Sequence, residues 1–230
     1  MIKRSISLLV LLGFALIFWK MLANWLPMTD LQGVARAYVS REPDELGAVN
    51  VVTAIVVTYR GLDTLGEVSV LFLAATGVAV LLRRREKAAK SVKKKRPASE
   101  FLQTGTALLT PFIVMFGVYI FINGHLSPGG GFQGGSVIAS AMLFLLLTYP
   151  DYKLKHTILN WVESLSGVSY VIVGILGLVL AGGFLDNRFL PLGQYGRILS
   201  AGAIPLIYIF IGLKVGTELA AVLENLKHEH

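Results

Sequence analysis

The sequence predicts an all-α integral membrane protein with six transmembrane helices and one short interfacial helix. The chain of 230 residues is 54% apolar, and its mean hydropathy is +0.67. Charged residues make up only 15% of it, against about 25% in soluble domains. Glycine and proline are concentrated in one stretch, residues 124–136, between two of the most apolar runs. Because such a stretch cannot continue a helix, it is either a turn between membrane helices or an unwound segment lining a polar cavity.

Six apolar segments have about the 20 residues that a span requires. They are residues 6–26, 63–82, 100–122, 133–149, 160–184 and 195–223. Residues 49–59 are too few to cross and predict the interfacial or re-entrant helix. The first segment follows Lys3 and Arg4 but lacks an obvious small-residue cleavage site, so we interpret it as an uncleaved helix rather than a signal peptide.

A basic linker, residues 83–97, divides the chain into predicted domains 1–97 and 98–230. Nine of the 21 lysines and arginines lie in this linker, directly after an apolar span. Such a run is typical of a cytoplasmic anchor, and it argues against a nucleic-acid partner. Six spans place the linker and both termini on the cytoplasmic side of the cell membrane, and the glycine-rich stretch on the outer side.

The sequence contains none of the patterns of an enzyme that acts alone. It has no cysteine, which excludes thiol catalysis, disulfides and an iron–sulfur cluster held by this chain. Clusters of metal-ligating side chains and a Walker sequence are missing, and residues 129–135 do not follow a strand as a dinucleotide site requires. We therefore expect no cofactor and no stable metal, only transient sodium.

The start of the second span carries the first candidate residues. Asp63 or Thr64 could cap this helix, and Thr64 with Glu67 fits the S/T-x-x-E capping box. Alternatively, Glu67 carries a proton or a cation one turn inside the apolar zone, where a charge is costly. Spacing alone does not separate the two interpretations.

The last span carries a second pair, Lys214 and Glu218, whose spacing places both on one helix face. Lys214 could extend toward the cytoplasmic end, or it could face the interior and tune a nearby carboxylate. Gly212 and Gly216 form a G-x-x-x-G face that would bring Lys214 near a partner helix. Glu163 is expected to be structural, at the cytoplasmic start of the fifth span.

The glycine-rich stretch is the third candidate. His125 could relay protons, although a wetted loop residue is the simpler interpretation. An unwound segment would offer backbone carbonyl oxygens to sodium, as in broken transporter helices. The residues of that segment are Pro128, Gly129, Gly130 and Gly131.

Two stretches resemble known families. Residues 124–135, GHLSPGGGFQGG, resemble the G-H-x-x-P-G-G-G-F-x-G-G signature of the MnhB/MrpB family, a four-helix subunit of multisubunit sodium/proton antiporters. Residues 212–216 are similar to that family's last helix, and the resemblance covers residues 99–230. Residues 50–67 resemble the MbhE-like unit of membrane-bound hydrogenases, which forms the carboxyl end of MrpA. MrpA-type versions often carry aspartate where Thr58 stands.

The resemblance implies a fusion of two units that are neighbours in sodium-translocating membrane arms. It implies ion-path roles for Glu67, His125 and Lys214, and Asp63 and Glu218 are further ion-path candidates. It also implies other Mrp/Mbh-type membrane subunits as partners and a lipid bilayer around them. Stand-alone antiporters, hydrogenases and sulfur reductases all fit, so a peripheral iron–sulfur arm stays open. A structural subunit that carries no ion is the main alternative, and an independent channel is a weaker one.

Overall fold

The computed structural model describes residues 2–23, 30–86 and 98–227, and the elements there are helical. The helices are α1 (Ile2–Ala23), α2 (Gly33–Glu45), α3 (Val51–Ala54), α4 (Gly61–Glu86), α5 (Glu100–Ile122), α6 (Gly131–Thr148), α7 (His156–Ala181) and α8 (Ile204–Lys227). A π-helical turn, Ile55–Tyr59, follows α3, and a 3-10 turn spans Asn187–Phe189. Within the described residues, α1 and α4 to α8 are the six helices long and apolar enough to cross a membrane. The predicted fold class is confirmed.

The chain forms two compact units, Met1–Ala37 and Tyr38–His230. The first unit contains α1, an apolar helix with Lys20 in its last turn. The second contains the other five membrane-crossing helices and the candidate site. The basic linker falls largely outside the described residues, which stop at residue 86 and resume at 98.

Helix α8 is the centre of the second unit. It contacts α4, α5, α6 and α7, and it is the most buried of the membrane-crossing helices in the described part of the chain. Its buried residues Ile204, Ile207, Ile211 and Val215 follow the spacing of one helix face and belong to the main apolar core. This core also contains Tyr170 of α7, so α8 carries apolar contacts from several directions.

Glycine brings α8 unusually close to α6. A Cβ atom on Gly135 would lie 2.8 Å from the carbonyl oxygen of Gly212 and 2.9 Å from the amide nitrogen of Gly216. The G-x-x-x-G face of α8 therefore packs directly on the α6 backbone, as small-residue faces do in membranes. Lys214 does not lie on this face. It contacts α4 and α7 instead, as described below.

Several boundaries differ from those predicted. Helix α2 forms within a stretch predicted only as polar, and it contains Pro43. The backbone amides of Leu46 and Gly47 both donate to the Glu42 carbonyl at the end of this helix. Helix α7 begins four residues earlier than predicted, at His156.

Helix α8 begins nine residues later than predicted, at Ile204. The preceding residues instead form a loop with left-handed backbone at Gly193, Gly196, Ala201 and Gly202, which a helix cannot accommodate. The amide of Ala201 donates to the Leu192 carbonyl at 2.9 Å and closes this loop.

Candidate functional site

Side chains from the first half of the chain hold the glycine-rich stretch. The Asn50 amide donates to the carbonyl oxygens of Gly124 and Ser127, both at 3.0 Å. The Thr53 hydroxyl donates to the Gly124 oxygen at 2.6 Å, and the Tyr208 hydroxyl donates to Thr53 at 3.0 Å. Backbone carbonyl groups outside a helix need hydrogen-bond donors of this kind within a membrane. The stretch is therefore a fixed part of the site.

The unwound segment is shorter than predicted. Pro128, Gly129 and Gly130 precede the helix, but Gly131 is already the first residue of α6. Glycine is needed here because the ring of Tyr208 lies against the backbone. A Cβ atom on Gly130 would be 3.1 Å from the Tyr208 Cζ atom. Any side chain here would push this ring away.

A cleft of about 220 Å³ lies where the two halves meet, and we call it the Glu67 cleft. Thr53, Thr64 and Glu67 line it from the first half, and Gly129 and Gln133 line it from the second. Tyr208 and Ile211 of α8 also line it, together with Val52, Val56, Gly131 and Phe132. The lining thus combines a carboxylate, hydroxyl groups and an amide with apolar walls. Such oxygen-bearing groups suit a hard cation.

The capping-box prediction at the start of α4 is wrong. Helix α4 begins at Gly61, so Thr64 lies inside it, and its hydroxyl donates to the Val56 carbonyl of the π-helical turn at 2.6 Å. Asp63 pairs with Arg60 at 2.5 Å, and both side chains are more than half exposed. The structure therefore brings Glu67 into the cleft without Asp63.

His125 is fully buried, so the interpretation as a wetted loop residue is wrong. Its Nε2 atom lies 3.3 Å from the Arg197 carbonyl oxygen, and its own carbonyl accepts a hydrogen bond from the backbone N–H of Asn50 at 3.0 Å. Burial lowers the pKa of His125, which favours the neutral ring. His125 is not among the residues that line the Glu67 cleft.

Lys214 lies in a cluster with two glutamates, which we call the Lys214 triad: Glu163, Lys214 and Glu218. Its Nζ atom is 2.6 Å from Glu218 Oε1 and 3.6 Å from Glu163 Oε1. The Phe72 ring of α4 covers the ammonium at 4.9 Å. Because α8 begins at Ile204, Lys214 lies near mid-helix and does not extend to the carboxyl-terminal end.

Sequence reasoning missed Glu163 as a partner of Lys214. With α7 starting at His156, Glu163 lies two turns inside the helix and not at its start. The available signal was an acidic residue within an apolar segment, but its partner lies on another helix. Only tertiary packing shows the pairing.

A second polar cluster missed from the sequence joins the end of α2 to the π-helical turn. The Tyr59 hydroxyl donates to Glu45 Oε2 at 2.6 Å, and burial together with Glu45 raises the pKa of Tyr59. Glu42 is fully buried, accepts a hydrogen bond from the Ala48 amide at 2.6 Å, and has a pKa raised by burial. Thr58 accepts a hydrogen bond from the Asn187 amide.

Comparisons with known proteins cover both halves. The family model described as a domain related to the MnhB subunit of the Na⁺/H⁺ antiporter matches residues 101–221. A second model, MbhE, which describes a subunit of the MBH complex, matches residues 2–99. A chain of the membrane-bound sulfane sulfur reductase, an archaeal respiratory membrane complex, is 44% identical with a TM-score of 0.80, over 98% of both chains. A chain of the Mrp complex from Dietzia is 24% identical with a TM-score of 0.78 and shares the fold over 97% of this chain and 26% of its own.

Curated relatives agree with these matches. An uncharacterized protein of Methanocaldococcus jannaschii is 30% identical over 76% of each chain. The B-type subunit of the Bacillus subtilis Na(+)/H(+) antiporter is 41% identical over 35% of this chain and half of its own length. The A/B-type subunit of a probable K(+)/H(+) antiporter from Rhizobium meliloti is 29% identical over 84% of this chain but only 21% of its own. Since the MnhB-related model matches more than half of the sequence, the chain belongs to the family of domains related to the MnhB subunit of Na⁺/H⁺ antiporters, in a multi-pass membrane protein.

Proposed function

We propose that this chain is a membrane subunit of an Mrp-type antiporter module in a larger respiratory complex, and that sodium passes along the Glu67 cleft. One observation carries the proposal. Glu67, from the half that matches MbhE, lines the same cleft as Gly129 and Gln133, from the half that matches MnhB. A carboxylate in an apolar membrane segment is expensive and marks ion paths by default.

The chemistry of the cleft suits a cation that binds only transiently. Glu67 supplies the negative charge, and neighbouring hydroxyl, amide and backbone oxygens replace part of the ion's water shell. A transported ion needs binding that is strong enough to enter and weak enough to leave.

Partners and orientation follow from the same proposal. Other Mrp- or Mbh-type membrane subunits complete the path, and a peripheral iron–sulfur arm drives it if the complex is of the sulfur-reducing kind named in the structural match. Both termini face the cytoplasm, and the two halves, 1–97 and 98–230, act as neighbouring units. Gentle extraction and mass spectrometry of the co-purifying subunits identify the partners.

The test is Glu67→Gln in the intact complex, with Asp63→Asn as the matched control outside the cleft. We expect the initial rate of sodium uptake into membrane vesicles to fall about ten-fold in Glu67→Gln, the factor that corresponds to about 1.4 kcal/mol of lost interaction with the ion. Asp63→Asn keeps its transport, and both variants co-purify with the same partners. Equal sodium transport in Glu67→Gln and the native complex contradicts the proposal.

The alternative is a scaffold subunit that carries no ion, and the close packing of Gly135 on Gly212 favours it. In that case Glu67→Gln transports sodium at the native rate and co-purifies with the same partners. The two functions therefore give opposite results in the transport assay of Glu67→Gln.

A further inference from the structure

The Lys214 triad lies apart from the Glu67 cleft and has an unbalanced charge. None of its three members lines that cleft. The side chains of Lys214 and Glu163 are 12% and 20% exposed, and that of Glu218 is 1% exposed. One ammonium group thus faces two carboxylates in a membrane interior. Fully ionised, the triad carries one net negative charge.

Glu218 shows where the imbalance is concentrated. Its Oε1 atom forms the 2.6 Å ion pair with Lys214, but its buried Oε2 atom has no hydrogen-bond partner among the described residues. A buried carboxylate oxygen without a partner is costly, more so beside a second carboxylate. Such an arrangement is stabilised by one more positive charge.

Neighbouring helices do not supply that charge through the side chains that the structure describes. Phe72 presents an aromatic ring from α4, and α6 has no titratable side chain in its sequence. The other titratable groups described on the helices that contact α8 are acidic, phenolic or at helix ends: Asp63, Glu67, Glu100, Tyr119, His156 and Tyr170. On α8 itself, Tyr208 and Glu224 add no cation, and Lys227 lies at the carboxyl-terminal end, bonded to the Tyr149 carbonyl.

We propose that the Lys214 triad is a proton-binding site, in which Glu163 and Glu218 share one exchangeable proton beside the Lys214 ammonium. Uptake forms one O–H bond on either carboxylate, and release breaks it, so no electron moves. Because both carboxylates lie within 3.6 Å of the same Lys214 ammonium, the proton belongs to the pair rather than to one residue.

A proton fits this position better than sodium does. The ammonium of Lys214 already occupies the place between the carboxylates that a metal cation would need. Sodium would have to bind next to this positive charge, whereas a proton adds to a carboxylate oxygen without further ligands.

The inference rests on the proposed function in one respect only: the proton of the triad would be the ion that is exchanged for sodium passing the Glu67 cleft. Proton binding itself is a property of the triad. It is measured by infrared difference spectroscopy of the intact complex, in which a protonated carboxyl group gives a C=O band that a carboxylate does not.

We expect Glu163→Gln and Glu218→Gln each to remove one carboxylic-acid band, because either change leaves Lys214 with a single carboxylate and a balanced charge. Glu163→Asp keeps the band, which shows that the loss is not caused by misfolding. Glu100→Gln, a matched change at the exposed start of α5, leaves the spectrum of the triad unchanged. Retention of every band in either Gln variant overturns the shared proton.

Transport measurements separate this inference from the proposed function. If Glu67→Gln transports sodium normally while Glu163→Gln loses the band, the cleft proposal fails and the proton site stands. If Glu67→Gln slows transport but both triad variants keep all bands, the cleft proposal stands and the proton site fails.

Discussion

Asn50→Ala tests how firmly the two halves of the chain are joined. The change removes two hydrogen bonds to the glycine-rich stretch, at 3.0 Å each. Each contributes about 1 kcal/mol net. The Gly124 oxygen keeps its bond from Thr53, so only the Ser127 oxygen loses a side-chain donor without a substitute. We therefore expect the free energy of unfolding to fall by about 2–3 kcal/mol.

The assay is thermal unfolding of the purified protein in detergent. For a chain of this size, 1 kcal/mol corresponds to about 2–4 °C in Tm, so the expected shift is on the order of 5–10 °C. Asn123→Ala is the matched control, because it removes an exposed amide bond to the Tyr119 carbonyl at 3.1 Å. Exposed bonds of this kind contribute about 0.5 kcal/mol or less. Equal Tm shifts for the two alanine variants would refute the reasoning.

Two further predictions concern packing and pH. Gly135→Ala should lower the free energy of unfolding by about 1–3 kcal/mol, because its Cβ atom meets backbone that cannot move aside. Gly105→Ala, whose Cβ atom meets open space, should leave this free energy unchanged. Denaturant or thermal unfolding of the two variants measures the difference. Since burial lowers the pKa of His125 below its ordinary 6.5, the unfolded chain binds this proton more readily. Stability should be full above about pH 6.5 and fall as the pH drops through the lower folded pKa. A His125→Asn variant whose Tm falls as steeply with pH as the native protein's would contradict this.

The sequence predicted the bounds of a span well where residues next to the helix end determine that end. Helix α5 has its predicted bounds because Ser99 caps it and accepts a hydrogen bond from the Leu102 amide. The start of α8 was misplaced because the loop before it is also partly apolar, and its left-handed residues form a turn only against the rest of the fold.

The site was predictable only where its partners share one helix. The pairing of Lys214 with Glu218 follows from their spacing of four residues, and the two side chains form an ion pair in the structure. Pairing with Glu163 depends on how α7 packs on α8. The burial of His125 likewise depends on the loop around Arg197, more than 70 residues away in sequence. Local patterns contain no information about such contacts.

The hydrogen bonds from Asn50 and Thr53 have a consequence for why the two halves share a chain. Their partners Gly124 and Ser127 are more than 70 residues away. The same two halves also share the main apolar core, which contains Val57 and Val68 together with Ile204. Two separate proteins would have to offset the lost freedom of association with these contacts alone. Covalent linkage raises the effective concentration of one half near the other, to about the millimolar range for short connections. A contact that combines this apolar core with a few polar groups can then stay closed while the Glu67 cleft leaves room for an ion.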